Sequence, residues 1–371
     1  MVIWLAVLPA LLLLYTWAGY PVLVRVIGGA RRRTMSTGAP SGASVSVIVA
    51  TRDEPDVVRG RVENLLAGAV ATTRFEVIVA IDARAEATEL DLDPERVRCV
   101  AGDPPGGKAA ALNAAVRVAS GEILVFADTR QLFEPSTIQR LVDALNDSTL
   151  GAVSGRLVLS DAGEGSGLIG RYWRIERWLR EWEARWDSAI GVTGAVWAMR
   201  RSAWKPLPEA VILDDLHTPM RLVLEGWRVG FEPSAVATDT RPVSTDQEYR
   251  RKVRTLTGVF QVCALLPDVL GPWRNRVWLQ FVSHKLLRLA TPLLLALVLV
   301  GFAGTMSSLS ANPLRDVLIA AAAVLVLAAL ALATGTWPRV LRALRVAWGM
   351  NAAIVAAARN AMLGRWDVWV K

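Results

Sequence analysis

The chain has 371 residues, of which 53% are hydrophobic and 20% charged, too apolar for an ordinary soluble protein and too long for one small core. A formal charge of +8, from 42 basic and 34 acidic residues, would suit a nucleic-acid partner, but zinc-finger spacing, a recognition-helix signature and an RNP-like aromatic pattern are all missing. The two cysteines and two histidines are too widely separated for a His/Cys metal cluster, and Cys99 and Cys263 are expected as reduced thiols packed like small hydrophobes.

Residues 2–24 are nearly free of charge and long enough to cross a hydrocarbon core, which takes roughly 20 apolar residues as helix. No basic residue precedes the run and Arg31, Arg32 and Arg33 follow it, so residues 1–27 read as an anchor rather than a cleaved signal peptide. Residues 28–43, rich in Gly, Ser, Pro and Arg, form a linker. A catalytic domain is expected over 44–265. It opens with the β-branched run 45–50, which has the look of a strand buried on both faces. A polar turn at 51–54, a helix around 57–67 and a strand at 75–81 ending in Asp82 come next. Helix 108–118 and strand 123–127, ending in Asp128, repeat the unit. This alternation predicts a parallel sheet with helices on both faces. Ligands of such sheets bind beyond the carboxyl ends of the strands, where Asp53, Glu54, Asp82 and Asp128 all lie. The turn Gly106-Gly107-Lys108 lacks the spacing of a P-loop.

Further along, Trp178, Trp182 and Trp186 recur four residues apart beside Ile175 and Leu179 and give one broad apolar face on a helix over 171–186. That face is expected to pack against the sheet or a membrane surface. Asp214 and Asp215 precede a helical run from Leu216 to Glu225, where an Asp either caps a helix or acts as a base. His217 reads as a hydrogen-bonded loop residue. The basic cluster from Arg250 to Arg254 is either a holder of phosphate or a solvated or lipid-facing surface. Residues 266–288 form an interfacial segment, with His284 a polar residue flanking the membrane. Two more apolar runs, 289–305 and 317–334, fall within a membrane region spanning 289–335. Cationic flanks at Lys285, Arg288, Arg339, Arg342 and Arg345 put the middle of the chain on the cytoplasmic side. Residues 336–371 include an apolar centre short for a span, read as an interfacial or half-buried helix.

The stretches VSVIVATRDE, FEVIVAID, GGKAAALNAAV, ILVFADTRQLFEP, GAVWAMRR, ILDDLHTPMRLVLEGWRVGFEP and QEYRR stand in this order. Together they resemble the successive blocks of inverting family-2 glycosyltransferases. With apolar runs on both sides, the chain is similar to the synthases of cellulose, hyaluronan and poly-N-acetylglucosamine. The resemblance implies an α/β GT-A fold, Rossmann-like with a mostly parallel sheet, flanked by transmembrane helices. It implies that Thr51, Glu54 and Asp82 cradle the uracil and ribose of a UDP-sugar, and that Lys108 lies beside the diphosphate, with Asn113 in the same helix. Asp128 would meet the nucleotide and its Mg2+ or Mn2+. Asp215 would be the general base, preceded by Asp214, and Gln247, Arg250 and Arg251 would contact the pyrophosphate. Trp197 would stack on the acceptor.

Two positions depart from the family pattern. The second carboxylate of the Asp-x-Asp motif is Arg130, which has no lone pair for a cation, and the Trp of the last motif is Arg251. Either Asp128 and water hold the metal with help from phosphate, or Arg130 itself neutralises the diphosphate. The resemblance implies sugar transfer from a UDP-sugar to a growing glycan on the cytoplasmic face of a bilayer, in a bacterial plasma membrane. Single-sugar transfer to a lipid acceptor and a non-catalytic scaffold are the alternatives. Oligomeric state is left open.

Overall fold

The computed structural model describes residues 3–31, 42–69, 74–85, 92–159, 168–239, 245–309 and 337–368. At its centre is an eight-stranded sheet with spatial order β3-β2-β1-β4-β7-β6-β8-β5. The strands are β1 (Val45–Thr51), β2 (Phe75–Ile81), β3 (Val97–Ala101), β4 (Ile123–Ala127), β5 (Leu132–Phe133), β6 (Leu150–Leu159), β7 (Val196–Arg200) and β8 (Arg228–Asp239). The first half, β3 to β4, is all parallel, as the strand–helix alternation predicts. β7 turns antiparallel to both β4 and β6, while β8 runs parallel to β6.

The β-branched runs of β1 and β4 are buried because apolar layers cover both sheet faces. One layer includes the helix Lys108–Val118, the other the helices Pro55–Ala67 and Thr137–Ala144. Register sets the site: Thr51 is opposite Ile81 and Val49 opposite Ala127, so Thr51, Asp82 and Asp128 end side by side. β7 begins opposite the end of β4, with Val196 across from Ala127, which lays the loop before β7 beside Asp128.

Outside the sheet, two helices among the described residues, Trp4–Arg31 and Thr291–Ser308, are long and apolar enough to cross a membrane, each with a mean hydropathy of 1.7 over its best window. They touch closely at Gly301, where a Cβ would stand 2.4 Å from the Ala6 amide nitrogen. Their outer faces carry exposed Leu8, Leu11, Leu14, Leu299 and Phe302. The expected run 317–334 lies outside the described residues. The helix Trp337–Met362 packs against the helix Thr245–Leu265, burying Ala353, Ile354 and Ala357.

The tryptophan face of the helix Leu168–Trp186 meets neither the sheet nor solvent alone. Trp178, Trp182 and Trp186 pack with Leu179 against Tyr20 and Val24 of the N-terminal helix. Gly28 comes so near the Trp182 carbonyl that a Cβ would stand 2.7 Å from its oxygen, and Arg25 lies over the indole at 3.9 Å. His284 also differs from its expected place. It is 3% exposed, in a π turn at Val282–Leu286, between Glu183 (2.7 Å) and Glu176 (3.0 Å). Tyr20 donates to the same Glu183 oxygen at 2.5 Å. Both cysteines are free, and Cys99 is exposed on the sheet-edge strand β3 rather than packed as a small hydrophobe.

Candidate active site

Lys108 is the centre of the site, and the turn before it explains how it gets there. Gly106 and Gly107 have φ of 88° and 107°, left-handed backbone that glycine adopts without strain. A Cβ on Gly106 would stand 2.6 Å from Asp82 Oδ1, so the turn closes onto that carboxylate. The Gly107 amide donates to Asp82 Oδ1 at 2.7 Å, and Arg84 pairs with Asp82 Oδ2 at 2.7 Å. Burial works against the Asp82 charge, but these donors outweigh it and hold the pKa down to about 2.

From the first turn of its helix, the Lys108 ammonium stands 3.1 Å from Asp128 Oδ1 and 3.5 Å from Asp214 Oδ2. Burial disfavours its charge, yet the carboxylates of Asp128, Asp214 and Asp215 outweigh burial and hold the lysine pKa above its ordinary range. Asp214 and Asp215 are the first two residues of the helix Asp214–Leu224, so neither is its side-chain cap. The loop before them is pinned: Asn113 bonds both the amide and carbonyl of Leu207, at 2.8 and 3.0 Å. Gln261 accepts from the Ile212 amide at 2.8 Å and donates to the Ala210 carbonyl at 3.1 Å.

Asp215 faces the loop before β7. A Cβ on Gly194 would stand 3.4 Å from Asp215 Oδ2, so glycine leaves that carboxylate face uncovered. The Val192 amide donates to the Asp215 carbonyl at 2.9 Å and fixes the loop to the helix. Burial and the neighbouring Asp214 charge push the Asp215 pKa up to about 6, against the pull of Lys108, Arg180 and Arg254. A carboxyl with that acidity suits a proton acceptor working near neutral pH. His217 lies inside the same helix rather than in a loop, and burial and Arg221 hold it down to about 4, so it stays neutral.

The other expected residues separate. Thr51 is buried and Glu54 exposed at the carboxyl end of β1. The Thr51 hydroxyl accepts from the Asp53 amide at 3.0 Å. Arg250 and Arg251 are exposed on the helix Thr245–Leu265, whereas Arg254 on the same helix turns its charge toward Asp215, Asp214 and Asp128. Gln247 belongs to that helix, but its side chain lies outside the described residues. Trp197 requires a correction. Its ring is 1% exposed and stacked on Phe126 at 4.2 Å, which leaves no face for an acceptor sugar.

Two contributors, Arg180 and Arg61, were missed in the sequence, and so was the partner of Asp53. Arg180, on the tryptophan-bearing helix, donates to the Thr193 hydroxyl and acts electrostatically on Asp215. Asp53 accepts from both Nε and Nη2 of Arg130, at 2.9 and 2.5 Å. Arg61, 1% exposed, donates from Nε to the Asp128 carbonyl at 3.1 Å and lies over the Phe133 ring at 4.2 Å. Its neighbour Asn64 bonds both the amide and carbonyl of Phe133, so one helix grips the whole turn after β4.

The metal expectation for Asp128 fits this donor set poorly. No group of three or more His, Cys, Asp or Glu side chains among the described residues is arranged to hold a metal ion. Asp128 already faces an ammonium, and the next side chain that could have supplied oxygen is the guanidinium of Arg130.

Residues 40–258 match the family described as glycosyltransferase-like family 2. The chain belongs to this family. Among curated relatives of this family-2 chain is an N-acetylglucosaminyltransferase of Mesorhizobium japonicum, 26% identical over 214 residues, covering 53% of this chain and 49% of the relative. Another is the O-antigen biosynthesis protein RfbC of Myxococcus xanthus, 29% identical over 212 residues, covering 50% of this chain and 16% of RfbC. The chain thus spans about half, or less, of the length of these relatives. Among solved structures, the mannosyltransferase PcManGT from Pyrobaculum calidifontis, in complex with GDP-Man and Mn2+, superposes with a TM-score of 0.66. It is 22% identical and the match covers 97% of this chain and 99% of that one. The mixed, mostly parallel sheet is therefore that of the GT-A fold.

Proposed function

We propose that the chain is a membrane-anchored, inverting glycosyltransferase that moves a sugar from a UDP-sugar to a growing glycan at the cytoplasmic face. The observation that carries this reading is the convergence of Asp215, Asp214 and Asp128 on the Lys108 ammonium at the carboxyl ends of the parallel strands. There, Thr51, Glu54 and Asp82 are proposed to take the nucleoside, with Lys108, Arg254 and Arg130 close to the diphosphate. Gln247, Arg250 and Arg251 lie on the helix that carries Arg254 and are proposed to reach the pyrophosphate from its exposed side. The names of the relatives support an amino sugar as donor and a surface glycan as product.

In the transfer step, the acceptor hydroxyl oxygen bonds to the anomeric carbon as the bond from that carbon to the β-phosphate oxygen breaks. Its electron pair leaves with UDP. Asp215 takes the hydroxyl proton, and the fixed cations meet the charge that develops on the leaving oxygen. A single displacement inverts the anomeric centre. Asp214, drawn to Lys108, is placed to raise the basicity of Asp215 rather than to attack.

The helices Trp4–Arg31 and Thr291–Ser308 support a membrane anchor, since they pack together and leave wide leucine-rich faces outward. The domain arrangement proposed with it is an anchor, whose helix continues to Arg31 where the linker was expected from 28, then a linker, a catalytic domain over 44–265, an interfacial segment and a membrane region from 289. Incubation of the purified chain in lipid nanodiscs with a panel of UDP-sugars, UDP-N-acetylglucosamine included, and mass spectrometry of the products tests the reading. Glycosylated product is expected with one donor. Hydrolysis or no reaction with every donor and acceptor glycan would overturn it.

A further inference from the structure

The position where a metal-using site of this family would offer its second carboxylate holds Arg130, and the structure gives this arginine a defined place. Nε and Nη2 both meet one oxygen of Asp53, which follows β1, while Arg130 itself follows β4. These are adjacent strands, so the pair bridges the mouth of the crevice between two parallel strand ends. One residue back from Thr129, Asp128 pairs with Lys108. The mouth therefore carries two fixed carboxylate–cation pairs side by side. Arg130 is exposed and Asp128 and Lys108 are half-buried, so solvent and ligands reach both pairs. Below them, Arg61 holds the Asp128 carbonyl and Asn64 holds Phe133, which fixes the intervening turn against drifting toward a different donor geometry.

A divalent cation placed here would meet two carboxylates, Asp128 and Asp53, each already paired with a side chain of the cation's own sign. Hard cations take oxygen ligands, and neither an ammonium nor a guanidinium has a lone pair to give. The diphosphate of a nucleotide sugar is the reverse case. It brings two negative charges and several acceptor oxygens, and a guanidinium matches phosphate through paired N–H donors.

Resting on the proposed nucleotide-sugar reading, we propose that this chain binds its donor's diphosphate without a divalent cation, Lys108 and Arg130 exchanging Asp128 and Asp53 for phosphate oxygens. The two internal carboxylates act as place-holders for the substrate in the empty site. They keep the cations pointed at the crevice and limit the reorganisation needed when the diphosphate arrives. Asp128 and Asp53, once released, are free to accept from ribose or acceptor hydroxyls.

Calorimetry with UDP, and with GDP as a second nucleotide, on the full chain in nanodiscs tests this, run once in EDTA and once in excess Mn2+. Electron paramagnetic resonance of Mn2+ then reports bound metal independently of turnover. The expected result is a nucleotide affinity that differs less than threefold between the two conditions, with no bound-Mn2+ signal at saturating UDP. Arg130→Asp restores an oxygen donor and should make Mn2+ tighten UDP by about tenfold or more, the response of a charge-assisted contact. A wild-type affinity that rises tenfold with Mn2+, together with a bound-Mn2+ signal, overturns the inference. An Arg130→Asp protein that folds and binds UDP but ignores Mn2+ overturns the role given to Arg130. Failure of UDP and GDP to bind in either condition overturns the nucleotide-sugar reading itself and this inference with it.

Discussion

The Lys108 ammonium lies 3.5 Å from Asp214 Oδ2, so the residue immediately before the proposed base draws on the same cation as the base. Asp214 raises the Asp215 pKa by repulsion and Lys108 lowers it by attraction, and the balance, with burial, leaves Asp215 at about 6. A base must be ionised to accept a proton. Transfer is therefore expected to rise with pH through about 6 and level off above it. Asp215→Asn should retain UDP binding while transfer falls by roughly 100-fold or more, the scale for losing a general base. The pH–rate profile and calorimetry of the same variant check both halves. Unchanged transfer in a folded Asp215→Asn protein would remove Asp215 from its role.

The same shift has a stability consequence of opposite sign. An acid whose folded pKa lies above its ordinary value binds its proton more tightly when folded, so the folded state loses stability as pH rises from about 4 to about 6. For Asp215, half-buried and partly screened, the loss at pH 7.5 is about 2 kcal/mol. Asp215→Asn should recover it, raising the melting temperature at pH 7.5 and giving no gain near pH 4. Thermal unfolding at both pH values distinguishes this from a general effect of the substitution.

Lys108→Met separates the two duties of the lysine. Without the ammonium, Asp215 loses its strongest attraction, so its pKa rises and the acid limb of the pH–rate profile should move to higher pH. UDP affinity should also drop by about tenfold or more, as expected for a charge-assisted contact of roughly 1.5–3 kcal/mol. An affinity loss with an unmoved acid limb would place Lys108 beside the nucleotide but not beside the base.

Much of this arrangement was legible because it follows from local pattern. Runs such as VSVIVA and ILVFA have no polar face, so they belong in a sheet covered on both sides, and their carboxyl ends put Thr51, Asp82 and Asp128 together. Gly106 and Gly107 marked a turn, though not that Asp82 would fill the space a Cβ would need. What escaped depends on contacts between distant segments. Arg130 and Asp53 are far apart in the chain and meet only because β1 and β4 are neighbours. Arg61 lies on a helix where an arginine is normally solvated, and only the turn after β4 gives its buried charge a carbonyl and an aromatic face. His284 followed the pattern of a membrane flank, but its partners Glu176 and Glu183 come from a helix about a hundred residues earlier.

Trp197 illustrates how a motif can suggest the wrong partner for an aromatic ring. In β7 it faces Phe126 of β4 and is covered, so its substitution should act on packing. Trp197→Phe is expected to cost about 1–3 kcal/mol in stability with the acceptor KM unchanged. A higher acceptor KM at unaltered melting temperature would return Trp197 to the acceptor site.

The last prediction concerns the junction between the N-terminal helix and the catalytic domain. One Glu183 oxygen accepts from Tyr20 and faces His284 Nδ1, and the residue is fully buried, with the Lys285 charge also acting on it, so losing the carboxylate disturbs several partners at once. Tyr20→Phe removes one donor to a charged group and should lower stability by about 1.5–3 kcal/mol. Glu183→Ala strands both partners and should cost about 3–5 kcal/mol. Because Tyr20 and Glu183 share a single contact, the double variant should be little worse than Glu183→Ala alone. Thermal unfolding of the three proteins in nanodiscs measures this directly. Additive losses would mean that the Tyr20 hydroxyl stabilises the docked helix independently of the buried carboxylate.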